Sequence, residues 1–336
     1  MRHWRWWVGG TVLVALLALL ALALWRRPAA VSLAPAALTI ATNTAYLGSC
    51  PVLAAQRQGY FTNQQLQVRV LPYSSGKAAL AALLAQQADY ATVAEIPVMF
   101  AALRGAPVQI FSTIYHTGQD HGVVARRDRG IRQASDLAGK RIGVSLSTSA
   151  HFALDLLLNR QRLDSDDVQL RNYPPEALLA ALQSGEVDAV SGWDPFLGEI
   201  EDQLGPLALR FSGPDVYESQ YHMVARRADL GLQPQLVQRL LQALWQGGRY
   251  CQQHPEQVLA LLPRLSPSRR AAMLAEWPAH RFGIELEQSL LFTLEDQARW
   301  AVKSGLVSEA APPNFLDYLY LDGMLAVRPS AVSVLH

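Results

Sequence analysis

The chain has 336 residues, half of them hydrophobic, with 29 basic and 28 acidic side chains and a net charge of +1. That length exceeds one simple core and suits two lobes; the balanced charge excludes the concentrated basic surface of a nucleic-acid binder. Two cysteines, Cys50 and Cys251, are too few for a disulfide framework, and no Cys/His spacing suggests zinc, so neither a metal nor a cofactor is implied.

Residues 1–7 are basic and aromatic, residues 8–25 form an almost unbroken apolar run, and Arg26-Arg27 ends it. A run of about 18 apolar residues lies between a long signal-peptide core and a short membrane span. An uncleaved N-terminal anchor is expected, with cleavage at Ala34-Pro35-Ala36 as the alternative; either way the remainder is exported to the periplasmic side. Residues 27–37 read as a Pro/Ala-rich linker. Leu47-Gly48-Ser49-Cys50 imitates a lipoprotein box, but cleavage there would remove the first predicted strand, so lipidation is rejected.

From residue 38 onward strands alternate with helical patterns, the signature of parallel sheets covered by helices. Strands are expected at 38–42, 67–71, 90–93 and 108–115, with helices at 50–58, 76–87 and 97–104. Further strands follow at 141–145, 168–172, 187–192 and 207–211, with helices at 149–160 and 175–184. Beyond 233 the chain is mostly helical, most clearly at 235–252 and 256–262. Gly122-Val123-Val124-Ala125-Arg126-Arg127-Asp128 recurs loosely as His222-Met223-Val224-Ala225-Arg226-Arg227-Ala228-Asp229. Two similar strands bracketing an α/β unit describe two lobes joined by a double hinge, bending at Val124 and Val224. The division expected is 1–37 for the leader and linker, 38–123 with 225–336 for lobe 1, and 124–224 for lobe 2.

Ligands of open α/β sheets bind beyond the carboxyl ends of the strands. That rule selects Asn43, Tyr46 and Ser49 after the first strand, Ser75 and Gly76 after the second, and Glu95 after the third. In lobe 2 it selects Thr148, Ser149 and His151, then Trp193 and Asp194. The helix starts at Ser75 and Ser149 are hydroxyl-rich, and free N–H groups with the helix dipole make such starts anion sites. Plainer roles compete: Ser75 as a helix cap, Asp194 as the cap of a helix opened by Pro195, Trp193 as a core aromatic. Glu95 would oppose an anion and favour an amine, or else is an exposed cap. His116 and His121 are expected in solvent, and the paired arginines in surface or interlobe ion pairs. The cysteines are expected to be separate buried residues, with a Cys50–Cys251 disulfide as the lesser alternative.

Several segments share one order and spacing: Gly59-Tyr60-Phe61; Ser75-Gly76-Lys77-Ala78-Ala79-Leu80; Ala88-Asp89-Tyr90 before Glu95-Ile96-Pro97; and Ser135-Asp136-Leu137-Ala138-Gly139-Lys140-Arg141-Ile142-Gly143-Val144. They are followed by Ser149-Ala150-His151-Phe152, by Ser184-Gly185-Glu186-Val187-Asp188-Ala189-Val190 before Trp193-Asp194-Pro195-Phe196, and by His254-Pro255-Glu256. Through these the chain resembles the substrate-binding proteins of ABC importers for nitrate, sulfonate, taurine and thiamine-precursor pyrimidines, the alkanesulfonate-binding/THI5-like family. The likeness runs from about residue 38 to 262 and more loosely to 325. It implies an α/β, type II periplasmic-binding-protein fold and a monomer that delivers a small solute to an ABC permease in the inner membrane. It also implies cleft contacts at Ser75, Ser149, His151 and Trp193. A pyrimidine-binding protein is one alternative. A desulfinase-like enzyme is another, because Ser49-Cys50-Pro51-Val52 and Glu95-Ile96-Pro97 resemble the surroundings of that enzyme's cysteine. A thiol at a helix N-terminus is activated, but residues 74–100 hold neither the histidine nor the arginine such an enzyme needs. A membrane-anchored sensor is the third class and would need a separate output protein.

Overall fold

The computed structural model describes residues 35–213, 217–262, 265–307 and 312–335. The expected N-terminal hydrophobic helix lies outside these residues. Among the described residues no helix is long and apolar enough to cross a membrane.

Eleven strands are described: β1 (Ala36–Thr42), β2 (Leu66–Pro72), β3 (Tyr90–Ala94), β4 (Val108–Thr117), β5 (His121–Arg126), β6 (Arg141–Val144), β7 (Gln169–Asn172), β8 (Ala189–Trp193), β9 (Ala208–Ser212), β10 (Ser219–Arg226) and β11 (Arg281–Glu285). They form two sheets, ordered β11-β4-β10-β3-β1-β2 and β7-β6-β8-β5-β9. β1 runs parallel to β2 and β3, and β6 runs parallel to β7 and β8. One antiparallel strand lies inside each sheet, β10 between β3 and β4 and β5 between β8 and β9, and β11 adds a second at the edge of the first. Setting β11 aside, both sheets share one winding. Helices cover both faces of the central strands, so β3 and β8 are apolar or small and almost wholly buried.

The chain crosses between the sheets after Thr117 and again between Ser212 and Ser219. Val124 and Val224, expected at the hinge, are interior strand residues. Val124 pairs with Val190 and Arg210, and Val224 with Ala91 and Ile110. Val224 lies beside a register shift in the pairing of β10 with β4, and the repeated segments begin just past the crossings. The repeats still end in ion pairs, Arg126 with Asp128 and Arg226 with Asp229.

Eight helices matter to the site: α1 (Cys50–Arg57), α2 (Gly76–Leu84), α3 (Glu95–Leu103), α4 (Ser149–Arg160), α5 (Leu178–Ser184), α6 (Phe196–Leu204), α7 (Pro234–Gln253) and α8 (Gln288–Lys303). α7 buries Val237, Leu240, Leu241, Leu244, Gly247 and Cys251. A Cβ on Gly247 would lie 2.1 Å from the Pro51 carbonyl oxygen, so only glycine lets α7 lie this close to α1. That approach brings together two cysteines 201 residues apart, and Cys50 and Cys251 form a disulfide with Cα atoms 6.2 Å apart. This corrects the expectation of separate cysteines. Other differences are local. The helix expected from 97 begins at Glu95, the one expected from 175 opens as a 3-10 turn at Pro175–Ala177, and the edge strand β11 was not anticipated.

Candidate functional site

A cavity lies in the cleft between the two sheets, lined by Asn43, Tyr46, Ser75, Gly76, Lys77, Ala94, Pro97, His121, Thr148, Ser149, Trp193 and Tyr221. The topology explains this company. The parallel strands β1, β2, β3, β6 and β8 all point their carboxyl ends at the cleft. The antiparallel strands β5 and β10 start there, which places His121 and Tyr221 at their first turns of backbone.

Two helix starts meet this cavity. At α2, Ser75 Oγ accepts the Ala78 N–H at 3.1 Å, the capping role anticipated for it. A Cβ on Gly76 would lie 3.1 Å from Val93 Cα and 3.3 Å from Ala94 N, so glycine seats α2 against β3. At α4, Thr148 Oγ1 donates to the Ser145 carbonyl at 2.6 Å and shapes the turn. Ser149 is buried at the first position of α4, and its Oγ has no hydrogen-bond partner among the described residues. A buried hydroxyl without a partner costs stability unless something satisfies it.

Beside these starts is a buried polar cluster of four residues, centred on Asp120. Asp120 accepts from the Tyr46 hydroxyl at 2.6 Å, from Ser219 Oγ at 3.3 Å and from His121 Nδ1 at 2.6 Å. Burial pushes the Asp120 carboxyl up, but His121 and the Tyr46 hydroxyl outweigh it and hold it below its ordinary value. Burial, then Asp120, pushes the Tyr46 phenol well up, so it stays a donor. The His121 ring lies 5.2 Å from Tyr217 and 6.2 Å from Trp193.

The lobes touch across the mouth of the cleft. Lys77 Nζ donates to the Leu146 carbonyl at 2.8 Å. Trp300 of α8 donates Nε1–H to Asp155 of α4 at 2.8 Å, and its ring packs 5.3 Å from His151 and 5.0 Å from Phe152. Arg269, from the helix Pro267–Ala275, reaches Asp194.

Of the residues selected from the sequence, Asn43, Tyr46, Ser75, Gly76, Thr148, Ser149 and Trp193 surround the cavity, and four do not. Ser49 lies behind it, its Oγ paired with Thr42 Oγ1 and donating to the Asn43 carbonyl, both at 2.7 Å. Glu95 is fully buried rather than exposed or in the cleft. It accepts from Gln220 N and Gln297 Nε2 at 3.2 Å, and burial raises its pKa to about 7. His151 turns away to Trp300; burial, then Lys77, lowers its pKa to about 4. Asp194 is taken up by Arg210 and Arg269 and accepts the Gly198 N–H at 3.1 Å. It caps α6 as anticipated, but from one residue further out, since Pro195 is itself the N-cap. The two histidines expected in solvent are both buried, His116 against Glu285 and His121 in the cavity wall. Reading the sequence missed Lys77, Ala94, Pro97, His121 and Tyr221 as lining residues. The internal repeat carried the signal for two of them: His121 and Tyr221 occupy equivalent positions just before its two copies.

Residues 48–258, more than half of the chain, match the family described as NMT1/THI5 like. The taurine-binding periplasmic protein of Escherichia coli is 26% identical over 152 residues, covering 45% of this chain and 47% of that protein. The alkanesulfonate-binding protein SsuA from Xanthomonas axonopodis pv. citri, solved bound to MOPS, superposes with a TM-score of 0.74 at 19% identity, covering 86% of this chain and all of that one. The desulfurization enzyme DSZB has the same fold, with a TM-score of 0.65 at 21% identity over 88% of this chain and 99% of that one. The doubly wound pair of sheets is thus the periplasmic-binding-protein fold. The chain belongs to the NMT1/THI5-like family.

Proposed function

From membership of the NMT1/THI5-like family, we propose that this protein is the solute-binding component of an ABC importer on the periplasmic side of the inner membrane, with a small oxyanion of the sulfonate, taurine or nitrate class as its solute. The observation that carries this reading is Ser149: a buried hydroxyl with no partner among the described residues, at the first turn of a 12-residue helix that opens on the cavity. An oxyanion there would accept from Ser149 Oγ and the free N–H groups of α4, and from the start of α2 on the other lobe. Trp193, Tyr221, Pro97 and Ala94 give the solute's organic part an apolar wall. Glu95 is not among the lining residues, so it does not select an amine. Closure is driven by contacts that only the closed form makes; Lys77 to Leu146 and Trp300 to Asp155 are hydrogen bonds that bridge the lobes. The closed form then docks a permease.

The enzyme alternative needs a thiolate at Cys50, and that sulfur is bonded to Cys251. The test is a thermal-shift panel on the purified protein with taurine, alkanesulfonates, nitrate and a thiamine-precursor pyrimidine. A solute at a hundred times its Kd stabilises by about 2.7 kcal/mol. A shift with a sulfonate, taurine or nitrate supports the reading; a shift with the pyrimidine alone replaces the solute class, and no shift with any of them sinks it.

A further inference from the structure

The end of β8 carries a buried cluster of opposite charges that one lobe does not balance by itself. Arg210 of lobe 2 serves two carboxylates of that lobe: Asp194 at 3.2 and 3.0 Å, and Glu201 at 2.9 Å. The cation that completes the balance comes from lobe 1, where the Arg269 guanidinium pairs with Asp194. The Asp194, Arg210 and Arg269 side chains are only 5%, 12% and 16% exposed, so salt screens their attraction little. Among the described hydrogen bonds the Arg269 guanidinium finds its acceptor in lobe 2 alone. Its helix, Pro267–Ala275, is nevertheless rooted in lobe 1. Arg270 donates to the Leu259 carbonyl at 3.3 Å, and Trp277, just past the helix, donates to the Gln252 carbonyl of α7 at 3.3 Å and packs 5.5 Å from Phe282 of β11. From that base the helix start reaches α6. Ser266 Oγ donates to Asp202 at 3.1 Å, and Gly198 leaves room for Arg269, whose Cδ would lie 3.3 Å from a Cβ there.

We infer that residues 266–275 are a strap by which lobe 1 clasps lobe 2, and that Arg269 is a positioning residue for the solute wall. Asp194 directly follows Trp193, which lines the cavity. Gripping Asp194 from the other lobe fixes the strand end that presents Trp193 and draws the lobes together. This rests on the reading of the cleft as a solute site, and not on the class of solute. Lys77 and Trp300 bridge the lobes too, but one meets a carbonyl and the other donates from a neutral indole. Of these three bridges, Arg269 to Asp194 is the one that joins opposite charges. When the lobes part, Arg269 leaves for water and lobe 2 keeps an excess negative charge, so the pair favours the closed arrangement. Asp194 still holds Arg210 and the Gly198 N–H, so losing Arg269 leaves no bare buried carboxylate to unfold the lobe.

The experiment is hydrogen–deuterium exchange of the ligand-free full chain, read by mass spectrometry for wild type, Arg269→Gln and Arg269→Lys, followed by titration with taurine and ethanesulfonate. Thermal unfolding checks that the variants are folded. Arg269→Gln should speed exchange in peptides spanning residues 75–79 and 148–154, the two helix starts on the cleft, which Arg269 does not touch. Arg269→Lys, which keeps the charge, should recover part of the protection. For a sulfonate that wild type binds, Arg269→Gln should weaken Kd by about tenfold, mostly through faster dissociation. Combining it with Asp194→Asn should weaken Kd by less than the product of the two single effects. Faster exchange confined to residues 194–198 and 266–275 overturns the inference, because the pair is then local packing. So does an unchanged sulfonate Kd in folded Arg269→Gln. If folded wild type binds neither sulfonate, the solute-class reading fails by itself, and the exchange pattern alone decides the strap.

Discussion

Reducing the Cys50–Cys251 disulfide removes a cross-link without changing a single residue. The bond closes a loop of 201 residues that contains the whole of the second sheet. The chain-entropy treatment assigns a loop of that length about 5 kcal/mol, and native disulfides deliver roughly 2–5. Both cysteines are buried, at 2% and 0% exposure, and lie on helices that stay packed through Gly247, so the folded state loses little else. We expect the reduced protein to be less stable by about 3–5 kcal/mol. For a body of this size that is on the order of 10 °C in Tm. The assay is urea unfolding followed by far-UV circular dichroism, with and without reductant, with mass spectrometry confirming that reduction is complete. Equal midpoints for the oxidised and reduced forms would refute the staple. Solute binding should persist after reduction, whereas substrate turnover appearing with the free thiol would revive the enzyme reading.

Ser149→Ala should leave thermal stability unchanged or slightly higher, since no protein group loses a partner, while solute affinity falls by about tenfold, or 1.4 kcal/mol; a loss of stability with unchanged affinity would make the hydroxyl structural. Trp300→Phe keeps an aromatic ring but removes the indole N–H and its bond to Asp155, so Kd should weaken by about fivefold, near 1 kcal/mol, with little change in the ligand-free melting point. Unchanged affinity in titration calorimetry would show that this contact does not belong to closure. Glu95 has a folded-state pKa of about 7 against an ordinary 4.5. Its raised value means the folded form holds the proton longer, so its contribution is present below pH 4.5 and lost as pH rises through 7. Glu95→Gln should therefore gain stability relative to wild type at pH 8, by roughly 3 kcal/mol, and not at pH 4; parallel stability curves across that range would contradict the assignment.

The alternation of strands and helices was legible because each element carries its own period, and the site's helix starts followed from where parallel strands end. Ser75, Gly76, Thr148, Ser149 and Trp193 were found by that rule alone. His121 was hidden because its neighbours Thr117-Gly118-Gln119-Asp120 read as a polar loop. Its burial comes from Tyr217 and Trp193, which are remote in sequence. Asp194 stood at the right strand end, but Arg210 and Arg269 occupy it, and no local pattern announces a partner 75 residues away. Glu95 failed for a related reason: Gln220 and Gln297, which satisfy it, come from β10 and α8. The disulfide depended on a helix crossing permitted by one glycine. β11, five residues with charged ends, has no periodic signal of its own.

The position of β10 sets an order of assembly. It is the inner strand between β3 and β4, yet the chain reaches it only after the entire second sheet. During synthesis, β3 and β4 therefore emerge with no strand between them. Their unpaired edges are open to wrong partners until residue 226 has arrived. The second lobe, wound from contiguous sequence between His121 and Ser212, can fold first. The first lobe becomes whole only when its middle is delivered, so the part of the molecule that begins the chain is the part that finishes last.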